Sequence, residues 1–137
     1  MKVKMPRVRQ VWSIFDEGSL LFLLALLIEE PMSVTEIQAK VSAIMGIPQS
    51  HSRFSRRVPD LIEEGLIEPA EKIELGAVRQ VKYKLTPLGK KIAIAILSTL
   101  ACGKLNPRLE KLANAAKEAL YKREKIIISC WHVAKIE

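Results

Sequence analysis

The stretch "QSHSRFSRRVPDLIEEGLI", residues 49–67, joins a basic segment to an acidic and apolar one. Its apolar positions recur at helical spacing and are Phe54, Val58, Leu61 and Ile62. Pro59 interrupts the pattern, because a proline inside a helix has no N–H to donate and costs about 3 kcal/mol. Since the helical spacing continues across the proline, the sequence predicts one helix that bends near residues 55–59 rather than ends there.

The opposite face of this predicted helix is basic. Its three arginines point away from the apolar positions, and guanidinium groups suit both phosphate oxygens and the guanine edge in the major groove. Acidic residues fill the last turns, which is the reverse of the order that the helix dipole prefers. This order favours a DNA-binding face over a solvated surface on which Arg56 and Arg57 pair with Asp60. We therefore predict DNA contacts from Gln49, Ser50, Ser52, Arg53, Arg56 and Arg57.

His51 lies on the same predicted helix, nearer its apolar edge than its basic face. It can either contact DNA or pack against the core, and the sequence leaves both roles open.

A second helix is predicted just before this stretch. Ser33 and Glu36 have the spacing of a capping box, and Gly46 marks the end of the helix. After a short turn, Ser50 can cap the next helix. Two helices joined by so short a turn indicate a helix-turn-helix.

The run "SLLFLLALLI", residues 19–28, predicts a central helix because it is apolar on every side. Asp16 is a good N-cap for this helix, Phe15 and Leu20 can form a hydrophobic staple, and Pro31 marks the end. About ten apolar residues are too few for a bilayer, which requires about twenty, and no cleavage site follows. We therefore expect neither a membrane span nor a signal peptide. The expected location is the cytoplasm.

Alternation of apolar and polar residues replaces the helical period after residue 67. Three apolar residues alternate with Lys82 and Lys84, which predicts a half-buried strand. Gly76 separates this strand from an earlier run at residues 72–75, so the two are expected to form a hairpin. Thr86 and the proline after it have the pattern of an N-cap and first position of a further helix.

The formal net charge of +7 is unevenly distributed along the chain. Residues 1–15 carry +4, residues 16–47 carry −4, residues 48–91 carry +3 and residues 92–137 carry +4. Basic segments separated from an acidic block suit a polyanionic partner such as nucleic acid, although a basic balance also serves solubility.

These elements predict a mainly α protein with a small β-hairpin, an α+β fold. We divide the chain into a basic arm (residues 1–15), a central domain (residues 16–104) and a C-terminal helix (residues 105–137). From Pro107 onward the pattern is amphipathic, so its apolar face must pack somewhere. It can fold back on the same chain, but we expect it to pair with a second copy. The predicted dimer contacts are Leu109, Leu112, Ala116, Leu120, Ile127 and Trp131.

Other residues point to structure rather than chemistry. Cys102 and Cys130 lack the spacing of a metal site; we expect buried, reduced thiols, although a disulfide stays open. Trp12, Trp131 and His132 are expected in the core or a dimer interface, with an effector pocket as the alternative. Motifs of enzymes, metal sites and cofactor sites are missing from the sequence, so we expect a non-enzymatic protein without cofactor or metal.

Two phrases, "LIEEGLIEP" and "KYKLTPLGKKI", resemble the winged-helix transcription regulators, particularly the PadR and MarR-like groups. The resemblance covers residues 19–100 and implies a winged helix-turn-helix, with the third helix in the major groove. It also implies that the hairpin is a wing on the DNA backbone or minor groove, with contacts from Arg79, Lys82 and Lys84. Arg79 can instead pair across the hairpin with Glu74. PadR-type regulators typically dimerise through a C-terminal helical part.

We therefore expect a homodimeric winged-helix protein that binds double-stranded DNA sequence-specifically as a transcription regulator. One alternative is a chromatin or plasmid-maintenance protein that binds DNA without sequence preference. Another is a winged helix that binds a protein partner. The operator and any small-molecule effector are left undefined by the sequence.

Overall fold

A computed structural model of the protein describes residues 16–76 and 78–136. The helices are α1 (Glu17–Ile28), α2 (Val34–Met45), α3 (His51–Ser55), α4 (Val58–Glu63), α5 (Pro87–Leu100) and α6 (Pro107–Glu124). The strands are β1 (Met32–Ser33), β2 (Ile67–Leu75), β3 (Val78–Leu85), β4 (Ile126–Ser129) and β5 (His132–Lys135). The predicted α+β class is confirmed. The predicted arm at residues 1–15, with Trp12 and the staple residue Phe15, lies outside the described residues.

Helix α1 lies at the centre of the fold, as its uniform apolar character predicts. Its side chains from Leu21 to Leu27 are buried, and it packs on α2, α3, α5, α6 and β3. The Asp16 carboxylate caps it by accepting the backbone N–H groups of Gly18 at 2.8 Å and Ser19 at 3.3 Å. None of the described helices has the length and apolar character needed to cross a membrane.

The predicted capping box at the start of α2 is confirmed. The Ser33 hydroxyl accepts the Glu36 backbone N–H at 3.2 Å, and the Glu36 carboxylate accepts the Ser33 N–H at 3.1 Å. That backbone hydrogen bond lowers the pKa of Glu36, and the ammonium group of Lys82 nearby lowers it further. Gly46 ends α2 in the left-handed conformation, which glycine adopts without strain.

Strands β2 and β3 form the predicted hairpin, and the first strand is longer than expected. It begins at Ile67, and a bulge lies between Pro69 and Glu71. Leu75 pairs with Val78, and Gly76, with φ 61°, follows Leu75 at the turn of the hairpin. Strand β3 also pairs with β1, which gives an antiparallel sheet in the order β1-β3-β2.

The hairpin is attached to α5 by close backbone packing. Thr86 caps α5 as predicted, because its hydroxyl accepts the Gly89 N–H at 2.9 Å while donating to the Gly65 carbonyl. A Cβ atom at Gly89 would lie 1.9 Å from the carbonyl oxygen of Leu66. A larger residue there would separate α5 from the start of β2, so the contact requires glycine.

The C-terminal segment is not helical throughout, so the predicted helix at residues 105–137 is wrong beyond Glu124. Lys125 takes the left-handed conformation with φ 55°, and a second hairpin follows, made of β4 and β5. Ile127 therefore lies on a strand. The reason is local, because three consecutive isoleucines favour extended backbone over helix.

The apolar face of α6 folds back on its own chain. Leu112, Ala116 and Leu120 are fully buried, and α6 packs on α1 and α2, while Leu109 is partly buried against the same core. Leu112, Ala116 and Leu120 are therefore not available as dimer contacts, and the prediction is wrong for these three, while Leu109 is only partly covered. Because α1 is apolar on every side, it must be covered on each side, and α6 supplies one cover. Of the predicted dimer contacts, Ile127 and Trp131 are exposed, at 43% and 77%.

Cys102 and Cys130 form a disulfide and lie at the surface, so the expectation of buried thiols is wrong. The bond joins the turn of the C-terminal hairpin to the residues that follow α5. Beside it, the Ser98 hydroxyl donates to the Ser129 carbonyl at 2.8 Å. Sequence spacing does not reveal this pairing, because it depends on β4 and β5 folding against α5.

Replacing Leu120 should test whether α6 belongs to the core of one chain. Leu120→Ala leaves a cavity and is expected to lower the free energy of unfolding by about 2–5 kcal/mol. Tyr121→Ala, at the next position, which is 45% exposed, should cost about 0.5–1 kcal/mol. Urea denaturation at several protein concentrations measures both, and equal effects of the two substitutions would contradict the placement of α6.

Candidate nucleic-acid interface

The stretch at residues 49–67 forms two short helices rather than one bent helix. Helix α3 ends at Ser55, Arg57 donates its backbone N–H to the Phe54 carbonyl at 3.0 Å, and α4 starts at Val58. The break lies within the predicted region, but the prediction that the helix continues through it is wrong. Pro59 occupies the first turn of α4, where the missing N–H would have no partner within the helix.

Apolar side chains hold both short helices against the core. Phe54 is fully buried, and its ring centre lies 6.4 Å from that of Phe22 on α1. Leu61 is fully buried from α4, and α4 packs on β2. These contacts fix which face of α3 is left at the surface.

Gln49 connects α2 to α3 and does not face solvent. Its side chain accepts from Arg53 at 2.7 Å, its backbone N–H donates to the Ser42 hydroxyl, and its carbonyl accepts from Gln38. Because Gln49 is only 8% exposed, we correct its predicted role from DNA contact to structural support.

Arg53 and Arg57 are paired with carboxylates from the start of α1. Nη2 of Arg53 lies 2.7 Å from Oε2 of Glu17. Nε of Arg57 lies 3.2 Å from Oδ1 of Asp16, an ionic contact outside hydrogen-bond geometry. Both arginine side chains are about one-third exposed. These two arginines are thus not on an open basic face, contrary to the prediction, because tertiary packing brings acidic residues to them.

The start of α1 lies directly against α3. A Cβ atom at Gly18 would be 2.9 Å from the Arg53 carbonyl oxygen and 3.0 Å from the Asp16 carboxylate. Such close backbone packing tolerates glycine and leaves little room for a larger residue. The contact places Asp16 and Glu17 within reach of both arginines.

The exposed edge of α3 consists of Ser50, His51, Ser52 and Arg56. This set keeps three of the six residues predicted for the helix and adds His51. The positions separated by four residues, Ser52 and Arg56, share one side of α3. Packing of Phe54 on the other side is what turns this edge outward.

The β2–β3 hairpin carries the other predicted cations. Arg79 is 83% exposed, and its Nε lies 3.8 Å from the Glu74 carboxylate directly across the hairpin. Lys84 is about half exposed beside Glu68. Lys82 is turned toward Glu36 at the start of α2, 3.4 Å away, because β3 pairs there with β1. We therefore correct Lys82 from an outward wing contact to a largely covered ion-pair residue.

A groove of about 240 Å³ separates the start of α3 from β3. Its lining residues are Ser33, Val34, Thr35, His51, Arg79, Gln80, Val81 and Tyr83. The exposed edge of α3 and the hairpin thus border one concave surface, whose sides carry His51 and Arg79. Sequence spacing could not join these two residues, because they belong to elements far apart in the chain.

Comparison of the chain with protein-family models found no match, and comparison with curated proteins found none either. Residues 16–76 and 78–136 contain no group of three or more His, Cys, Asp and Glu residues that could hold a metal ion.

Replacing Gln49 should separate structural support from surface contact. Gln49→Ala removes a buried acceptor from Arg53 and is expected to lower the free energy of unfolding by about 1–3 kcal/mol. Its neighbour Ser50 is exposed, and its side chain makes no capping hydrogen bond to the described backbone. Ser50→Ala should therefore change stability by less than about 0.5 kcal/mol. Chemical denaturation of both variants checks this, and a larger effect at Ser50 would refute the assignment.

Proposed function

We propose that the protein is a winged-helix transcription regulator that binds double-stranded DNA sequence-specifically. The observation that carries the proposal is the shared concave surface between the exposed edge of α3 and the β2–β3 hairpin. His51 from that edge and Arg79 from the hairpin line the groove, and the Ser52 hydroxyl and Arg56 guanidinium are exposed on the same short segment as His51. Such groups serve both phosphate positioning and base readout.

Helix α3 has dimensions that suit the major groove. An α-helix with its side chains is about 10–12 Å across and fits the major groove, which is about 12 Å wide; the five residues of α3 extend about 7.5 Å along the helix axis. Ser50 and Ser52 lie at its start, where hydroxyl groups can contact phosphates, while Arg56 lies at its end and can reach a guanine edge. The break before α4 leaves this short segment as the inserted element.

The hairpin acts as a wing on the DNA backbone or minor groove. Arg79 stands near its tip, and Lys84 lies farther along the same strand. The surface pairs of these cations with Glu74 and Glu68 contribute little to stability, since exposed ion pairs are worth about 0–1 kcal/mol. Phosphate oxygens can therefore displace the carboxylates at small cost.

The proposed contact set is accordingly smaller than the one expected from sequence. Direct contacts come from Ser50, Ser52, Arg56, Arg79 and Lys84, with His51 on the groove wall. Gln49 supports them by fixing the turn between α2 and α3.

Replacing Arg56 tests the α3 assignment. Arg56→Ala should weaken binding to a duplex selected from a random pool by about 1–3 kcal/mol and relax sequence preference. Arg79→Ala should weaken binding to the selected and the random duplex alike. It should also reduce the slope of log affinity against log salt concentration by about 1. Lys122→Ala, on the exposed side of α6, provides the control.

Fluorescence anisotropy across a salt series measures all three variants. Wild-type protein that binds random and selected duplexes equally would support the alternative of a DNA-binding protein without sequence preference. Absence of binding to any duplex would overturn the proposal and favour a protein-binding winged helix.

We also propose that the protein is a homodimer, joined through the C-terminal hairpin rather than through α6. Ile127 and Trp131 are exposed there, together with Val133 and Ile136. Exposed aromatic side chains such as that of Trp131 are more frequent at protein interfaces than elsewhere on protein surfaces. A two-fold dimer would present two copies of α3 to half-sites about 34–36 Å apart, one turn of DNA.

Replacing the exposed apolar residues of this hairpin tests the interface. Trp131→Ser together with Ile127→Ser should convert the dimer to monomer without unfolding it, because both side chains are exposed. Leu88→Ser, at the exposed first turn of α5, is the matched control. Sedimentation equilibrium reports the mass, and a dimer that survives the double substitution would exclude this surface.

A further inference from the structure

We infer that Glu17 and Asp16 are specificity-determining residues of the DNA interface, because their carboxylates occupy Arg53 and Arg57 and so suppress binding to DNA of any sequence. The inference rests on the proposed function. It concerns the first turn of α1, which is not part of the predicted DNA-binding elements.

The Arg53–Glu17 ion pair uses the same N–H donors that a DNA phosphate would use. Nη2 of Arg53 lies 2.7 Å from the Glu17 carboxylate, and Nη1 of the same guanidinium donates to Gln49. Guanidinium groups bind carboxylates and phosphates through the same planar arrangement of N–H donors. A phosphate can therefore reach Arg53 only in competition with Glu17.

The competition takes place at the surface and not in the core. The Arg53 side chain is 34% exposed and that of Glu17 is 65% exposed. Both residues line a groove of about 480 Å³, which also includes Arg108 from the first turn of α6. The groove leaves room for a phosphate beside Arg53, so the carboxylate and not lack of space limits access.

Both paired arginines adjoin the proposed contact residues along the chain. Arg53 follows Ser52 directly, and Arg57 follows Arg56. Without their carboxylates these arginines would add two cations to the edge of α3. Binding without sequence preference depends chiefly on the number of phosphates neutralised, whereas base contacts depend on sequence. Ion pairs within the protein at these two arginines thus lower its affinity for DNA of random sequence, while the side chains that contact bases stay exposed.

Glu17 gives a cleaner test than Asp16. The Asp16 carboxylate also caps α1, so its replacement changes the helix start as well as the charge. Glu17→Gln keeps the size of the side chain and one carbonyl acceptor, while it removes the negative charge that holds Arg53.

The experiment compares Glu17→Gln with a matched control elsewhere. Glu118→Gln breaks the Glu118–Lys122 pair on α6, which is 2.8 Å long with Glu118 also 65% exposed, and it changes the net charge equally. Fluorescence anisotropy with a random-sequence duplex and with a selected duplex is measured across a salt series. Thermal denaturation confirms that each variant is folded.

Glu17→Gln should bind the random duplex several-fold tighter than the wild type, with a salt slope steeper by up to about 0.9. Affinity for the selected duplex should rise less, so the ratio of selected to random affinity falls. Glu118→Gln should match the wild type. In an Arg53→Ala background, Glu17→Gln should have no effect beyond that of Glu118→Gln.

Two results would overturn the inference while leaving the proposed function intact. One is a Glu17→Gln variant whose random binding and salt slope equal those of Glu118→Gln. The other is an effect of Glu17→Gln that persists when Arg53 is alanine, because the charge would then act without the arginine. Failure of the wild type to bind either duplex would instead overturn the proposed function, and the inference with it.

Discussion

The constraint on which the structure depends is that α1 is apolar on every side and must be covered completely. Burial of its side chains stabilises the folded state by roughly 25 cal/mol per Å² of apolar surface removed from water. Helices α2, α3, α5 and α6 and strand β3 share this task. The requirement explains why α6 folds back on its own chain, and why its apolar face is not open to a second subunit.

Covering α1 also determines the proposed DNA-binding surface. Phe54 packs on Phe22 of α1, and the close approach at Gly18 brings the first turn of α1 against α3. That contact places Asp16 and Glu17 beside two arginines of the basic segment. Packing therefore covers some of the polar side chains of this segment and leaves the others exposed on α3.

Much of the local structure could be predicted from sequence. The caps at Asp16, Ser33 and Thr86, the hairpin turn at Gly76 and the interruption near Pro59 all depend on residues within a few positions of one another. Such signals act through backbone geometry and short hydrogen bonds, so spacing alone reveals them. The C-terminal isoleucine run could also have indicated a strand, but the strong amphipathic pattern before it suggested a continuing helix.

The sequence by itself determined the central apolar helix, the two helices joined by a short turn and the β2–β3 hairpin, because each follows from local periodicity. Tertiary structure alone decided the partners of Arg53 and Arg57, the burial of Gln49 and the Cys102–Cys130 disulfide. These depend on residues that are distant along the chain and meet only when α1 is enclosed. For the candidate site, the polar residues could therefore be identified from the sequence, but their exposure at the surface depends on tertiary packing.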